Sequence, residues 1–318
     1  MVKIGLALGA GGARGLVHVG ILKVLHKQGI KIDYIAGTSM GAVVGAAYAV
    51  GRSPLEIEKL VMSTNWKKII DFTIPKQGLI EGAIVRKKLR DLVYNFEFKQ
   101  LNIPLQVVCY NMTKSHQVVF RKGDVAQALR ASISIPGIFT PVRIGSDNYI
   151  DGAVANPTPY DIVRKMGADI VIAVDIYQER EKKVRSPVIR DQTFTKELKR
   201  KFVTDELAYF KDFLIPDRWP KFVQKTLDWT FDKLLYPARI LKMLAGKEML
   251  PITKTMYKTV DILTRNLAKE RLACAEVDIL IIPNFSNYKW SDFGSSQRII
   301  NIGEKEMKKK LPDLMKLL

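Results

Sequence analysis

The sequence predicts an α/β fold with a largely parallel central sheet and helices on both of its faces. The first observation is an alternation of short apolar runs with segments of helical periodicity, which continues to about residue 177. The second is a pair of small-residue turns, each of which stands where an apolar run leads into a helical segment. The third is the composition, because 318 residues with 47% hydrophobic content can bury one large core.

Each predicted element follows from its local pattern. Strands are predicted where short apolar runs occur, at residues 2–8, 34–37, 105–110, 117–121 and 170–176. Helices are predicted where apolar residues recur at helical spacing, at residues 15–28, 42–50, 54–62, 83–94, 125–131 and 159–166. Nearer the C-terminus, the pattern predicts a strand at 277–283 and a lysine-rich amphipathic helix at 303–318.

A glycine-rich turn at residues 9–15 connects the first predicted strand to the first predicted helix. Such a turn exposes backbone N–H groups without partners inside the helix, and these groups bind a phosphate or an oxyanion equally well. Asp33 lies about 20 residues further on, where a dinucleotide site has its ribose-binding acid. The dinucleotide spacing is imperfect, because Ala10 occupies the first glycine position of that motif. A tight turn without any ligand is the third interpretation.

Ser39 lies in a Gly-x-Ser-x-Gly pentapeptide between an apolar run at 32–36 and a small-residue run at 42–49. This is the pattern of a nucleophile elbow, in which a serine on a sharp strand-to-helix turn presents its hydroxyl. Gly37 and Gly41 let strand and helix approach closely, and the helix N-terminus favours developing negative charge. Taken alone, the pentapeptide is equally compatible with a chance turn before a buried helix.

Asp151 is the second candidate for chemistry, although an Asp-Gly pair can also be an ordinary turn. The sequence contains three histidines, His18, His26 and His116. All of them precede Asp151, so the chain order Ser, acid, His of an α/β-hydrolase triad is impossible here. If Ser39 is a nucleophile, its base is one of these histidines or the carboxylate itself.

Four motifs, in this order and spacing, resemble those of the patatin-like phospholipase family, and in particular its short bacterial branch. They are the glycine-rich turn, the serine pentapeptide, the segment 131–141 and the tripeptide Asp151-Gly152-Ala153. Residues 290–293 and 299–303 also resemble that branch. The resemblance implies a three-layer α/β/α fold and an acyl hydrolase with a Ser–Asp dyad that needs no metal and no cofactor. The sequence departs from the family at Ala10, where a third glycine is usual.

The resemblance gives each candidate residue a role. Ser39 is predicted to be the nucleophile and Asp151 its base. The predicted oxyanion hole consists of the backbone N–H groups of Gly11, Gly12 and Ala13. Supporting roles are assigned to Arg14, Gly37, Gly41 and Gly152. Arg14 is expected to orient the loop, with contact to an anionic headgroup as the alternative, and His18 is expected to serve packing alone.

A helical insertion at residues 178–274 is predicted to separate the two parts of the catalytic domain, 1–177 and 275–318. Its first part, 178–250, combines aromatic with basic residues, which is typical of a membrane-interface element.

We expect this aromatic part of the insertion to be a lid and membrane-facing surface over the Ser39 cleft. Trp219 or Trp229 should then be exposed or line an apolar groove that leads to the serine. A helical cap that packs the aromatic side chains onto the core or onto a partner subunit is the alternative.

A protein with a net charge of +19 can bind nucleic acid or an anionic lipid surface. No nucleic-acid-binding module is visible, so peripheral contact with an anionic membrane is preferred over contact with nucleic acid. The competing explanation of the net charge is that basic residues are spread over the whole surface for solubility. The N-terminal apolar run is broken by the glycine-rich turn, which argues against a signal peptide and predicts a cytoplasmic protein. Peripheral contact, if made, would be with the inner membrane face. Two cysteines fit neither a metal site nor a disulfide framework.

Two functions therefore compete. The preferred one is a serine acyl hydrolase, similar to a phospholipase A, that cleaves fatty-acyl esters of lipids. The alternative is a non-catalytic nucleotide-binding or interaction protein that uses the glycine-rich turn without chemistry.

Overall fold

An eight-stranded mixed sheet forms the centre of the chain, in the order β5-β6-β3-β2-β1-β7-β8 with β4 paired to β3. The structure, a computed structural model, describes residues 2–66, 80–178, 251–285 and 287–318. The strands are β1 (Ile4–Leu8), β2 (Tyr34–Thr38), β3 (Leu105–Asn111), β4 (His116–Phe120), β5 (Val142–Ile144), β6 (Asp147–Asp151), β7 (Ile170–Val174) and β8 (Ile279–Ile281). The pairs β1–β2, β2–β3, β1–β7 and β7–β8 are parallel.

Eight α-helices are present in the described residues. They are α1 (Val17–Lys27), α2 (Met40–Ala49), α3 (Pro54–Ser63), α4 (Ala83–Leu92), α5 (Val125–Ser132), α6 (Tyr160–Lys165), α7 (Pro251–Ala273) and α8 (Ser296–Met315). Side chains alternate across the sheet, so that Leu6 and Leu8 of β1 join one apolar cluster and Ala7 joins the other. The larger cluster includes residues of α1, α2, α5 and α8, and the smaller one includes residues of α6. The predicted α/β fold with helices on both faces is confirmed.

An antiparallel hairpin, β5–β6, extends the sheet where the sequence predicted no strand. β6 pairs antiparallel with β3, so that Asp151 stands opposite Cys109. β2 pairs with β3 in parallel, and its last residue, Thr38, stands opposite Val108. The two strands therefore end at consecutive residues of β3, which brings the segments after Thr38 and around Asp151 together.

Two helix boundaries differ from the prediction. The first helix begins as a 3-10 turn at Gly12–Leu16 before α1 starts at Val17. The last helix begins at Ser296 and not at Gly303, because Gly303 is a packing position inside α8. A Cβ there would lie 2.0 Å from the carbonyl oxygen of Val17, so glycine is required for the close approach of α8 to α1.

The chain divides into two compact units, Met1–Lys182 with Thr255–Leu318, and Lys183–Lys254. Residues 179–250 lie outside the described part of the chain, and the predicted lid, Trp219 and Trp229 lie there with them. From Thr255 onward, α7 belongs to the same unit as the sheet. Within the described residues, no helix combines the length and the apolar character needed to cross a membrane.

Candidate active site

The turn between β2 and α2 holds Ser39 at φ 55° and ψ −124°. This is a sparsely populated backbone conformation for a residue with a side chain. A Cβ on Gly41 would lie 2.1 Å from the carbonyl oxygen of Leu8, and a Cβ on Gly37 would lie 2.5 Å from the Cα of Ala42. Both glycines therefore lie where no side chain fits. Their close contacts allow the tight turn that places Ser39 directly before α2.

Ser39 and Asp151 form a direct hydrogen bond. The Ser39 hydroxyl donates to Oδ2 of Asp151 at 2.6 Å, and the backbone N–H of Ala153 donates to Oδ1 at 2.9 Å. Both side chains are buried, since each residue is only 4% exposed. Burial raises the pKa of Asp151 to about 7, although its hydrogen bonds with Ser39 and Ala153 act in the opposite direction. A carboxylate with this pKa can accept a proton near neutral pH.

Other ionisable groups near Asp151 remain protonated at neutral pH. Burial first, and the neighbouring carboxyl second, raise the pKa of both the Cys109 thiol and the Tyr177 phenol. Burial likewise raises the pKa of Tyr257. Asp151 is thus the group in this set that titrates near neutral pH.

His18 is bonded to the backbone and not to the serine. Its Nε2 donates to the carbonyl oxygen of Gly9 at 2.7 Å, and its burial lowers the pKa to about 4. His26 packs edge-on against Tyr48, and His116 lies exposed on β4. Within the described residues, no histidine hydrogen-bonds to Ser39 or Asp151.

Two backbone N–H groups of the glycine-rich turn, those of Gly11 and Gly12, are free of protein acceptors among the described residues. Gly11 and Gly12 line the same cavity as Ser39 and Asp151. Ala13 differs from the prediction, because its N–H donates to the carbonyl oxygen of Trp290 at 2.6 Å. That bond occupies the donor, so Ala13 is not available to an oxyanion in this structure.

The cavity beside Ser39 has a volume of about 30 Å³, room for about one water molecule. One wall comes from α7, through Tyr257, Val260, Asp261 and Thr264. This wall was not predicted, because α7 was assigned to the insertion. The sequence does contain a pattern that indicates it, since these four residues have the i, i+3, i+4, i+7 spacing of one helix face.

Arg14 contacts this wall. It is 5% exposed, and its guanidinium lies 3.7 Å from a carboxylate oxygen of Asp261 and 5.8 Å from the centre of the Tyr177 ring. Asp261 also accepts a hydrogen bond of 2.9 Å from Arg265. Within the described residues, the Arg14 side chain makes no hydrogen bond to the glycine-rich turn that it was expected to orient.

Two further residues complete the surroundings of Ser39 and Asp151. Gly152 follows the carboxylate, and a Cβ there would lie 2.4 Å from the carbonyl oxygen of Val108. Ser132, at the end of α5, accepts a hydrogen bond of 2.8 Å from the backbone N–H of Ser39. The sequence analysis included Ser132 in a family-like segment but gave it no role.

No cluster of three or more potential metal ligands occurs in the part of the chain that the structure describes.

Comparison with known proteins places this geometry in a family. A model of the family described as patatin-like phospholipase matches residues 6–164, which is half of the chain and includes the glycine-rich turn, Ser39 and Asp151. An uncharacterized NTE family protein of Mycobacterium tuberculosis is 34% identical over 176 residues, which cover 55% of this chain and 49% of that protein. Patatin-like phospholipase domain-containing protein 6 of Homo sapiens is 32% identical over 186 residues, covering 56% and 14% respectively.

The match thus spans about half the length of the mycobacterial relative and less of the human one. Among solved structures, VipD from Legionella pneumophila is similar with a TM-score of 0.52 and 14% sequence identity, over 98% of this chain and 66% of that one. At that identity the likeness concerns the fold alone. The family match over half of the sequence is sufficient for the assignment: this chain belongs to the patatin-like phospholipase family.

Proposed function

We propose that the protein is a serine acyl hydrolase that cleaves fatty-acyl esters of lipids, with Ser39 as nucleophile and Asp151 as base. The observation that carries the proposal is the 2.6 Å hydrogen bond from the Ser39 hydroxyl to a buried carboxyl whose pKa is about 7. A serine hydroxyl becomes an effective nucleophile when an adjacent base can take its proton.

In the acylation half-reaction, Ser39 Oγ attacks the ester carbonyl carbon while Asp151 takes the hydroxyl proton. Negative charge develops on the carbonyl oxygen, where the free N–H groups of Gly11 and Gly12 stabilise it. The tetrahedral intermediate collapses, and the protonated Asp151 gives its proton to the departing alcohol oxygen. The acyl group remains on Ser39.

In the deacylation half-reaction, water attacks the acyl carbonyl and Asp151 takes a proton from it. Collapse of the second intermediate releases the fatty acid and returns the proton to Ser39 Oγ. Every proton transfer uses one carboxyl group, so neither a metal nor a cofactor has a step to perform.

Substrate entry requires movement around the cavity, because about 30 Å³ does not accommodate an acyl chain. The α7 wall lies outside the family-matched residues, as do the cavity-lining residues Tyr177 and Trp290. Displacement of α7 from Arg14 would widen the cavity. The net charge of +19 supports peripheral contact with an anionic membrane as the source of the lipid. The lid at 178–250 remains part of this proposal, and all of it after Gln178 lies outside the described residues.

A nucleotide-binding function without chemistry has less support. Asp33, its expected ribose-binding acid, accepts a hydrogen bond of 2.9 Å from the backbone N–H of Ile4. Ile4 begins β1, whereas the glycine-rich turn follows the other end of that strand. A buried carboxyl beside the free N–H groups would also repel a phosphate once it is ionised.

The proposal is tested by hydrolysis of phospholipid vesicles and of a soluble short-chain ester. The wild type should cleave both, whereas Ser39→Ala and Asp151→Asn should be inactive and folded. Ser63→Ala, which removes an exposed serine hydroxyl at the end of α3, is the matched control and should keep full activity. Activity that survives in Ser39→Ala, or nucleotide binding without any ester hydrolysis by the wild type, would contradict the proposal.

A further inference from the structure

A hydrogen-bonded chain connects the nucleophile to the strand that pairs with the base. The backbone N–H of Ser39 donates to Ser132 Oγ at 2.8 Å, and the Ser132 hydroxyl donates to the carbonyl oxygen of Val108 at 2.7 Å. Val108 precedes Cys109, the residue of β3 that pairs with Asp151. Ser132 therefore bonds to the turn that holds Ser39 and to β3, the strand that pairs with β6 and its Asp151.

The same segment also holds the residue that supplies the base. The backbone N–H of Asp151 donates to the carbonyl oxygen of Ser134 at 3.0 Å. Ser132 and Ser134 are two residues apart, so one short stretch at the C-terminal end of α5 binds the backbones of Ser39 and Asp151. The backbones of the two residues that form the Ser39–Asp151 hydrogen bond therefore share one support.

Arg130 fixes this stretch to the surrounding loops. Its guanidinium donates to Ser134 Oγ at 2.7 Å and to the carbonyl oxygens of Glu81 and Gly82 at 2.6 Å and 3.3 Å. Arg130, Ser132 and Ser134 are all buried, and Ser132 and Ser134 have no exposed surface. Buried hydrogen bonds in a complete network restrict the motion of their members.

We infer that Ser132 is a positioning residue for the reaction, which holds Ser39 Oγ in line with the Asp151 carboxylate. This inference rests on the proposed function, because it concerns the alignment of the same two side chains. Ser132 does not line the cavity beside Ser39, so it acts through the backbone of the nucleophile and makes no contact with substrate.

Removal of the Ser132 hydroxyl has a defined consequence. The Ser39 N–H and the Val108 carbonyl oxygen would both lose their buried partner, and Ser39 already has a strained backbone. The turn would relax and the hydrogen bond to Asp151 would lose its alignment. Because the substrate surface is unchanged, the loss should appear in kcat and not in KM.

The test compares Ser132→Ala with Ser296→Ala in the full chain. Ser296, the first residue of α8, is the matched control, since it is buried and its hydroxyl also donates to a backbone carbonyl, that of Phe293 three residues earlier. Hydrolysis of a soluble short-chain ester should show a fall in kcat of about 10- to 100-fold for Ser132→Ala, with KM within about twofold. Ser296→Ala should lose about as much thermal stability as Ser132→Ala but should keep the wild-type kcat.

A second readout is specific to alignment. Because the hydrogen bond from Ser39 lowers the pKa of Asp151, its weakening should move the midpoint of the kcat/KM profile upward from about pH 7. A Ser132→Ala enzyme with the kcat and midpoint of the Ser296→Ala control would overturn the inference.

Failure of the proposed function gives a different result, namely no ester hydrolysis by the wild type or by Ser296→Ala. Hydrogen exchange of the Ser39 amide then decides the matter. Faster exchange in Ser132→Ala than in Ser296→Ala supports the positioning role, and equal exchange overturns it.

Discussion

Ionisation of Asp151 should destabilise the fold, and Asp151→Asn should remove that effect. The pKa of this carboxyl is raised from 3.8 to about 7 by burial, so the folded protein holds the proton where the unfolded chain has released it. Stability attributable to this group therefore falls as the pH rises from about 4 to about 7. Each pH unit corresponds to about 1.4 kcal/mol, which gives about 4 kcal/mol in total.

The substitution is suited to this measurement because asparagine has almost the same shape as aspartate. Its amide oxygen can accept from the Ala153 N–H and its amide nitrogen can donate to Ser39 Oγ. Urea unfolding of wild type and Asp151→Asn at pH 5, 6, 7 and 8 gives the difference in unfolding free energy at each pH. The unfolding free energy of Asp151→Asn should increase relative to that of the wild type at each step up to about pH 7. Above that pH the difference between the two should stay constant.

Asp147→Asn is the control, because it lies on the same strand and its pKa is shifted the other way. Lys114 first, and then Asn111, lower the pKa of Asp147. That carboxylate stabilises the fold above its unfolded pKa, and the contribution is lost as the pH falls, so Asp147→Asn should be less stable than the wild type at pH 7. A pH-independent difference between wild type and Asp151→Asn would refute the assignment of a buried, titrating carboxyl to Asp151.

Three further predictions concern residues around the site. His18→Gln should retain a kcat/KM that rises through about pH 7, because a histidine with a pKa of about 4 is not the group that titrates there; loss of that rise in a folded variant would contradict it. Gly41→Ala should fail to fold or lose several kcal/mol in urea unfolding, since its Cβ would lie 2.1 Å from a backbone oxygen, whereas Gly294→Ala, with nothing within 4 Å, should match the wild type. Asp261→Asn should raise kcat/KM on a soluble ester about two- to tenfold by weakening the ion pair between α7 and the buried arginine; Glu270→Gln removes an equal charge from the same helix and should have no effect.

The local parts of the site could be predicted from the sequence. The elbow around Ser39 and the glycine-rich turn depend on neighbouring residues, because tight turns impose their own requirements for glycine. The order of the histidines excluded an α/β-hydrolase triad and left either a histidine or the Asp151 carboxylate as the base. The resemblance to the family then favoured Asp151. In the folded chain, Thr38 pairs with Val108 and Asp151 pairs with Cys109. These two pairings bring the locally predicted segments together.

The non-local parts could not be predicted. The hairpin β5–β6 has a strand of three residues, which is too short to show alternation. The prediction that the last helix starts at Gly303 was wrong. This glycine packs against α1, and such a contact cannot be inferred from the local sequence pattern. Occupation of the Ala13 N–H by Trp290 joins residues that are far apart in the sequence, and so does the bond from Ser39 to Ser132. Such contacts arise from the assembled fold.

The roles of Ser39 as nucleophile and Asp151 as base can be measured together by reaction with a fluorophosphonate probe. The rate is measured from pH 5 to pH 9, and the adduct is located by mass spectrometry. We expect one adduct on Ser39, a labelling rate that rises with pH around a midpoint of about 7, and loss of this reaction in Asp151→Asn. An adduct on another residue, or Asp151→Asn labelled on Ser39 at the wild-type rate, would contradict the assignment of Ser39 and Asp151 as nucleophile and base.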